Sequence, residues 1–90
     1  MTTHDLKCWP VPFAAVVQRT KRHEIRRADR DYQVGDVLRL REWQTASVGS
    51  ETVGVGYTGS VISVRVTYIT RAGEWGIPDG LCVMSVEREP

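Results

Sequence analysis

GSVISVRVTYITR, residues 59–71, is the stretch whose reading decides the fold class. Ile62, Val64, Val66 and Tyr68 fall on one side of an extended chain, and Ser63, Arg65 and Thr67 fall on the other. A helix would scatter this period-two pattern around its circumference, whereas a half-buried strand keeps it on two faces. A single strand of this kind needs partners, and the flanking sequence supplies them. In VGDVLRLREW, residues 34–43, Gly35 and Asp36 make a turn, after which Leu38 and Leu40 alternate with Arg39 and Arg41. In LCVMSVE, residues 81–87, Cys82, Met84 and Val86 alternate in the same way.

Toward the N-terminus, His4 to Cys8 reads as a first strand. Lys21 to Arg27 reads as another, in which Ile25 and His23 are expected to face the core while Arg22, Glu24 and Arg26 share the opposite face. Between them, WPVPFAAVV carries Pro10 and Pro12, tolerated in a first helical turn because the N–H groups they lack have no intrahelical partner there. Phe13, Val16 and Val17 then form one apolar stripe at i, i+3 and i+4, which predicts a helix of about eight to ten residues packed through those three side chains. Both valines are β-branched, so spacing rather than propensity supports this helix.

Ninety residues bound the chain to one domain, 1–90. A hydrophobic fraction of 41% with three Trp and four Pro describes a folded globule without low-complexity sequence. The expected fold class is mainly β with one or two short helices, its roughly five or six strands closing into a small barrel that leaves no exposed edge and is plugged at one end by the early helix.

Twelve Lys and Arg against 11 Asp and Glu leave a net charge of only +1, which excludes a globally basic nucleic-acid coat. The charge is instead local: Arg19, Lys21, Arg22, Arg26, Arg27 and Arg30 place six of the twelve basic residues between positions 19 and 30. Such clustering suits phosphate contacts. A plainer role is a solvated strand whose arginines pair with Glu24, Asp29, Asp31 and Glu42. Glu24 and Arg26, two apart on a strand, lie side by side and form an ion pair. In a cleft between helix and barrel this pair would read the Watson–Crick edge of a base, the carboxylate accepting from an amino group and the guanidinium donating to a carbonyl. Lys7 on the first strand would add a charge, and Trp9 at the mouth of the helix a stacking surface or a core lid. Trp43 and Trp75 are expected to pack.

Residues 44–60 hold Gly49, Gly54, Gly56 and Gly59 and read as a flexible flap or small hairpin, a surface for a protein partner. A second loop, 72–80, carries Glu74, Trp75 and Pro78. Cys8 and Cys82 lack CxxC spacing and the N-terminus lacks the apolar core of a signal peptide, so a reducing, cytoplasmic setting is expected. No apolar run approaches the roughly 20 residues that span a bilayer. His4, His23, Cys8 and Cys82 lack zinc-ligand spacing, so neither metal nor cofactor is expected, and His23 reads as a satisfied core histidine.

LKCWP (6–10), K-x-x-E-I-R (21–26), D-R-D-Y-Q-V-G-D (29–36), LREW (40–43) and YTG (57–59), in this order, resemble the ASCH domain of the PUA-like superfamily of small β-barrels. The resemblance is closest to a subgroup of short bacterial and phage proteins, the domain of unknown function 3850, and covers the chain from His4 to Val86. It implies a β-barrel and an association with RNA or modified bases; one ASCH branch hydrolyses N4-acetylcytidine. Two departures stand out. Where the subgroup has a glycine at the helix exit this chain has Arg19, which must take a positive φ without glycine's freedom. Where the subgroup has an aromatic, it has His23. The hydrolytic branch matches at Lys21 but has a threonine where this chain has Glu24, and it uses a downstream glutamate, for which Glu74 is the candidate.

Three functions follow as expectations. The first is an RNA- or nucleotide-binding module using Lys7, Trp9, Lys21, Arg22, Glu24 and Arg26. The second is an amide hydrolase of acylated nucleosides, with Lys21 and Glu74 as catalytic residues and Lys21 activated by a neighbouring cation. The third is a protein-interaction domain using residues 44–60.

Overall fold

The computed structural model describes residues 1–90. The elements are β1 (Thr3–Cys8), α1 (Pro10–Val17), β2 (His23–Arg27), β3 (Val37–Val48), β4 (Glu51–Thr70), a short 3-10 turn (Glu74–Gly76) and β5 (Leu81–Arg88). The alternating stretches pair as one five-stranded sheet in the order β1-β3-β4-β5-β2, with β1 parallel to β3 and every other pair antiparallel. No helix is long and apolar enough to cross a membrane.

The expected barrel does not close. β1 and β2 are the two edges of the sheet, and no backbone ladder joins them. One reason lies in the chain just after β1, where Pro10 and Pro12 cannot donate to a ladder and α1 begins at once. The edges nevertheless face each other, because cavities of about 310 and 620 Å³ are each lined by residues of both strands. A side chain spans this seam: Arg26 Nη1 on β2 donates to the Lys7 carbonyl on β1 at 3.0 Å.

Inward-facing residues of β1, β3, β4 and β5 form the core, with Leu38, Leu40 and Met84 fully buried at its centre. From α1, Phe13 and Val16 join it, while Val17, the third residue of the expected stripe, is left exposed. Tyr68 also departs from expectation. A register irregularity between Val66 and Tyr68 adds a residue to β4, which turns Tyr68 outward and seats Ile69 in the core. His23 is exposed rather than a core histidine, and Trp75, expected to pack, is 92% exposed at the tip of its loop.

Residues 44–60 form the outer part of the β3–β4 hairpin, so of the two expected arrangements the hairpin is the one found. This arm extends beyond the ladders to β1 and β5 and turns at Gly49, φ 63°. Trp43 lies over Gly54, where any Cβ would collide with its indole, and packs edge-on against Tyr57 at 4.8 Å. Lys7 Nζ sits 3.9 Å from the Trp43 ring and the Arg41 guanidinium 3.8 Å from the Tyr57 ring, a run of cation–π contacts that braces the base of the arm.

The turn into β3 is tied to β1 by Asp36, a buried carboxylate whose role the alternation pattern does not reveal. Asp36 Oδ1 accepts from the Thr2 amide at 3.0 Å; Oδ2 accepts from the Gln33 amide at 3.0 Å and lies 2.9 Å from His4 Nε2. Tyr32, inside the charged turn, is buried with its ring 4.8 Å from that of His4. Burial alone would raise the Asp36 pKa, but the hydrogen bonds with His4, Thr2 and Gln33 outweigh it and hold the carboxyl below its ordinary value. A depressed folded-state value means that the ionised group stabilises the fold above its unfolded pKa and that this contribution is lost as pH falls through the folded one. Asp36→Asn is therefore expected to lower stability at neutral pH and to flatten the acid limb of the stability profile, read from urea unfolding between pH 7 and pH 3.

The exit of α1 carries the strain that the missing glycine implies. Arg19 N donates to Val16 O at 3.0 Å and Thr20 N to Ala15 O at 3.0 Å, the paired bonds of a Schellman cap, with Arg19 at φ 64° in the glycine position. An L-residue in this conformation costs about 1 kcal/mol relative to glycine. Arg19→Gly should raise stability by about 0.5–1 kcal/mol, a thermal shift of roughly 3–6 °C in a domain of this size.

Candidate functional site: a carboxylate buried at the sheet seam

The face that β2 turns inward is set by its partner, not by its own hydrophobicity. In the antiparallel register Glu24 stands opposite Met84 and Arg26 opposite Cys82, and residues directly opposite share a face. Met84 and Cys82 are core residues, so Glu24 and Arg26 must also point inward. The expectation for this strand is thus reversed: Glu24 is 3% exposed and Ile25 is 56% exposed. Ile25 faces outward because this register sets it opposite Val83, on the other face of the sheet from Met84 and Cys82.

A carboxylate so buried needs charge and hydrogen bonds on both oxygens. Lys21 Nζ donates to Glu24 Oε1 at 2.7 Å, and Arg26 Nε donates to Oε2 at 3.0 Å. Lys21 Nζ also donates to the His23 carbonyl. The two cations are not themselves buried, with side chains 22% and 21% exposed, so the cluster presents its positive groups to solvent and its acid to the interior. Together they form one wall of the 310 Å³ cleft; Lys7, Cys8, Trp9 and Pro12, from β1 and the start of α1, form the other. Trp9 is half exposed at the rim, fixed as the residue preceding α1 by its carbonyl, which accepts from the Phe13 amide at 2.9 Å.

Five of the six proposed binding residues, Lys7, Trp9, Lys21, Glu24 and Arg26, therefore line one cleft. Arg22 does not. It precedes β2, donates from Nε to the Arg19 carbonyl at 3.2 Å, and lines a neighbouring cavity of about 360 Å³. The two proposed catalytic residues are not brought together: Glu74 is exposed, accepts from the Arg71 amide at 2.6 Å within its own loop, and lines none of the cavities.

Cys8, Pro12 and Ile25 complete the cleft, though the sequence assigns none of them to a binding site. Cys8 is the one potential nucleophile among them. Burial pushes its thiol up to about 11, the Glu24 charge adds to the rise, and Arg26 and Lys21 oppose it, so at neutral pH the sulfur stays protonated. No three His, Cys, Asp or Glu side chains converge as a metal-holding group. What the wall offers a ligand is a fixed set of donors on Lys21 and Arg26, oriented by a carboxylate that carries acceptor lone pairs of its own.

Removing the acid leaves two cations facing each other at the seam. Glu24→Gln is expected to cost about 2 kcal/mol, below the 3–5 kcal/mol range for a fully buried pair because Lys21 and Arg26 can swing toward water. By contrast Asp5→Asn, which breaks the exposed 2.9 Å pair with Arg39, should cost under about 0.5 kcal/mol. Urea midpoints of the two variants test the difference.

Comparison with known proteins finds similarity along most of the chain. An uncharacterized 12.9 kDa protein in the GpA 3′ region of Escherichia phage P2 is 35% identical over 72 residues, an alignment that spans 80% of this chain and 58% of the phage protein. The family described as domain of unknown function 3850 matches residues 3–86, from the start of β1 to the last core residue of β5, and the chain belongs to that family.

Proposed function

We propose that the protein is an RNA- or nucleotide-binding module whose recognition element is the Lys21–Glu24–Arg26 wall of the seam cleft. The observation that carries this reading is the pair of cationic side chains, Lys21 and Arg26, held by the buried Glu24 carboxylate at 2.7 and 3.0 Å and presented to an opening lined by Trp9. Carbonyl oxygens and ring nitrogens on the edge of a base match those donors, and the Trp9 indole offers a face for stacking. The motif resemblance to ASCH and PUA-like domains points to the same class of ligand.

Amide hydrolysis of an acylated nucleoside has less support. Lys21, its proposed nucleophile or base, is engaged by Glu24 and the His23 carbonyl; the threonine position is occupied by Glu24; and Glu74 is turned into its own loop. The protein-interaction reading rests on the β3–β4 arm, which exposes Val48, Val53 and Val55 but has no feature that identifies a partner.

Short single-stranded RNA should bind with an affinity that falls roughly tenfold to twentyfold between about 50 and 200 mM salt, the dependence expected for about three phosphate contacts. Trp9→Ala, at a half-exposed rim position, should weaken binding by about tenfold while leaving the melting temperature nearly unchanged. Fluorescence anisotropy measures both, and binding indifferent to salt and to Trp9 would contradict the proposal.

A further inference from the structure

The cavity beside the cleft has a different charge character. Its floor is apolar, formed by Val16, Val64 and Val86, and Arg19, Arg22 and Arg88 stand around it. Two further charged residues line it, and both are already compensated: Lys21 by Glu24 at 2.7 Å, and Glu87 by Arg65 at 2.7 Å. The three arginines have no carboxylate partner among the ion pairs of the molecule. They come from three separate places, the exit of α1, the residue before β2 and the end of β5. The fold holds these three places together through bonds from Arg22 Nε to the Arg19 carbonyl and from the Val86 amide on β5 to the Arg22 carbonyl, at 3.2 and 3.0 Å.

Arg19 supplies a second, independent observation. It occupies the position of the helix cap that favours glycine, at φ 64°, and its side chain stands at this cavity. A strained backbone kept in place of an available relaxed one points to a use for the side chain.

We infer that this cavity is a phosphate site, taking the phosphate of a nucleotide whose base occupies the adjoining cleft. The inference deepens the nucleotide-binding proposal and rests on it for the identity of the base. The physical division is between compensated and uncompensated charge. In the cleft Glu24 offsets the positive groups, which suits a neutral polar base edge. In the cavity three guanidiniums unpaired with any carboxylate, beside a Glu87 already held by Arg65, suit a dianion, to which each offers its terminal N–H groups. Lys21 lines both and joins them.

Amide NMR spectra of the full chain, titrated separately with inorganic phosphate, with cytidine and guanosine, and with their 5′-monophosphates, test the inference. Phosphate should move the amides of Arg19, Arg22 and Arg88, and a monophosphate should bind about tenfold more tightly than its nucleoside. In Arg22→Gln/Arg88→Gln that advantage should shrink to about twofold or less, with nucleoside affinity unchanged. Arg19→Gly separates binding from folding, because it should be more stable than the parent chain and yet bind phosphate more weakly. Phosphate that leaves the three amides unmoved, or equal affinity for nucleoside and monophosphate, overturns the inference. Phosphate that moves them while nucleosides leave Glu24 and Arg26 unmoved supports the phosphate site and overturns only the cleft reading. Larger shifts of the same amides with a short oligoribonucleotide than with a mononucleotide identify a strand, rather than a free nucleotide, as the source of the phosphate.

Discussion

The carboxylate of Glu24 is the constraint around which the open side of this molecule is arranged. Its two oxygens are taken by Lys21 and Arg26 at 2.7 and 3.0 Å, and Arg26 in turn reaches the Lys7 carbonyl at 3.0 Å. A buried acid without such partners would carry a desolvation cost of several kcal/mol. With them, it becomes the anchor that sets Arg26 across the gap between the two edge strands. The same three residues, one acceptor and two oriented donors, form the cleft wall and, through Arg26, the link across the seam, so the architecture of the opening and its chemistry have one origin.

Why the sheet stays open follows from what stands on each side of the gap. Closing β1 against β2 by a backbone ladder would bring two edge backbones within about 5 Å and displace the Arg26 guanidinium that now spans them. The chain instead leaves β1 at Trp9 and turns at once into α1, whose first turn contains two prolines. The gap is therefore bounded by strand, helix start and charged side chains, and it opens to solvent at Trp9. Away from the seam, packing is conventional: Leu38, Leu40, Val64, Val66 and Met84 fill the interior with no buried polar side chain left unpartnered. Stability is concentrated in that interior, while the candidate site lies where the sheet fails to close.

The sequence makes some of this legible and hides the rest for identifiable reasons. Alternation identifies β3, β4 and β5 and most of their buried residues, because each has an apolar face and a polar one. Two prolines and an apolar stripe identify α1. Glu24 and Arg26 are readable as same-face neighbours from their spacing alone. Which way that face points is not readable from β2, whose single isoleucine argues for the wrong side; the answer lies in the register with Met84 and Cys82, a non-local fact. Tyr68 is misplaced for a similar reason, since the irregularity in β4 depends on its pairing with β5. Asp36, placed in a turn by its Gly-Asp dipeptide, serves as the acceptor that joins three backbone and side-chain groups, and nothing in local pattern distinguishes such an acid from a solvated one. Arg19 is the opposite case. Its positive φ follows from the family resemblance, which puts a glycine at this position of the helix exit, and the structure has it at 64°.

The choice of arginine at position 26 has a geometric basis that a lysine could not meet. Nε is directed at Glu24 while Nη1 is directed at the Lys7 carbonyl, two acceptors on different strands served by one rigid fork. A lysine has one nitrogen on a flexible stem and would have to choose between holding the acid and bridging the seam, whereas Lys21, which meets Glu24 from the chain just before β2, needs only a single point of charge there. The two cations around Glu24 are thus not interchangeable: one completes its charge balance, and the other converts that balance into a link between the edges of the sheet. A ligand entering the cleft would meet donors whose directions are already set by that link, and little ordering of the guanidinium would remain to oppose binding.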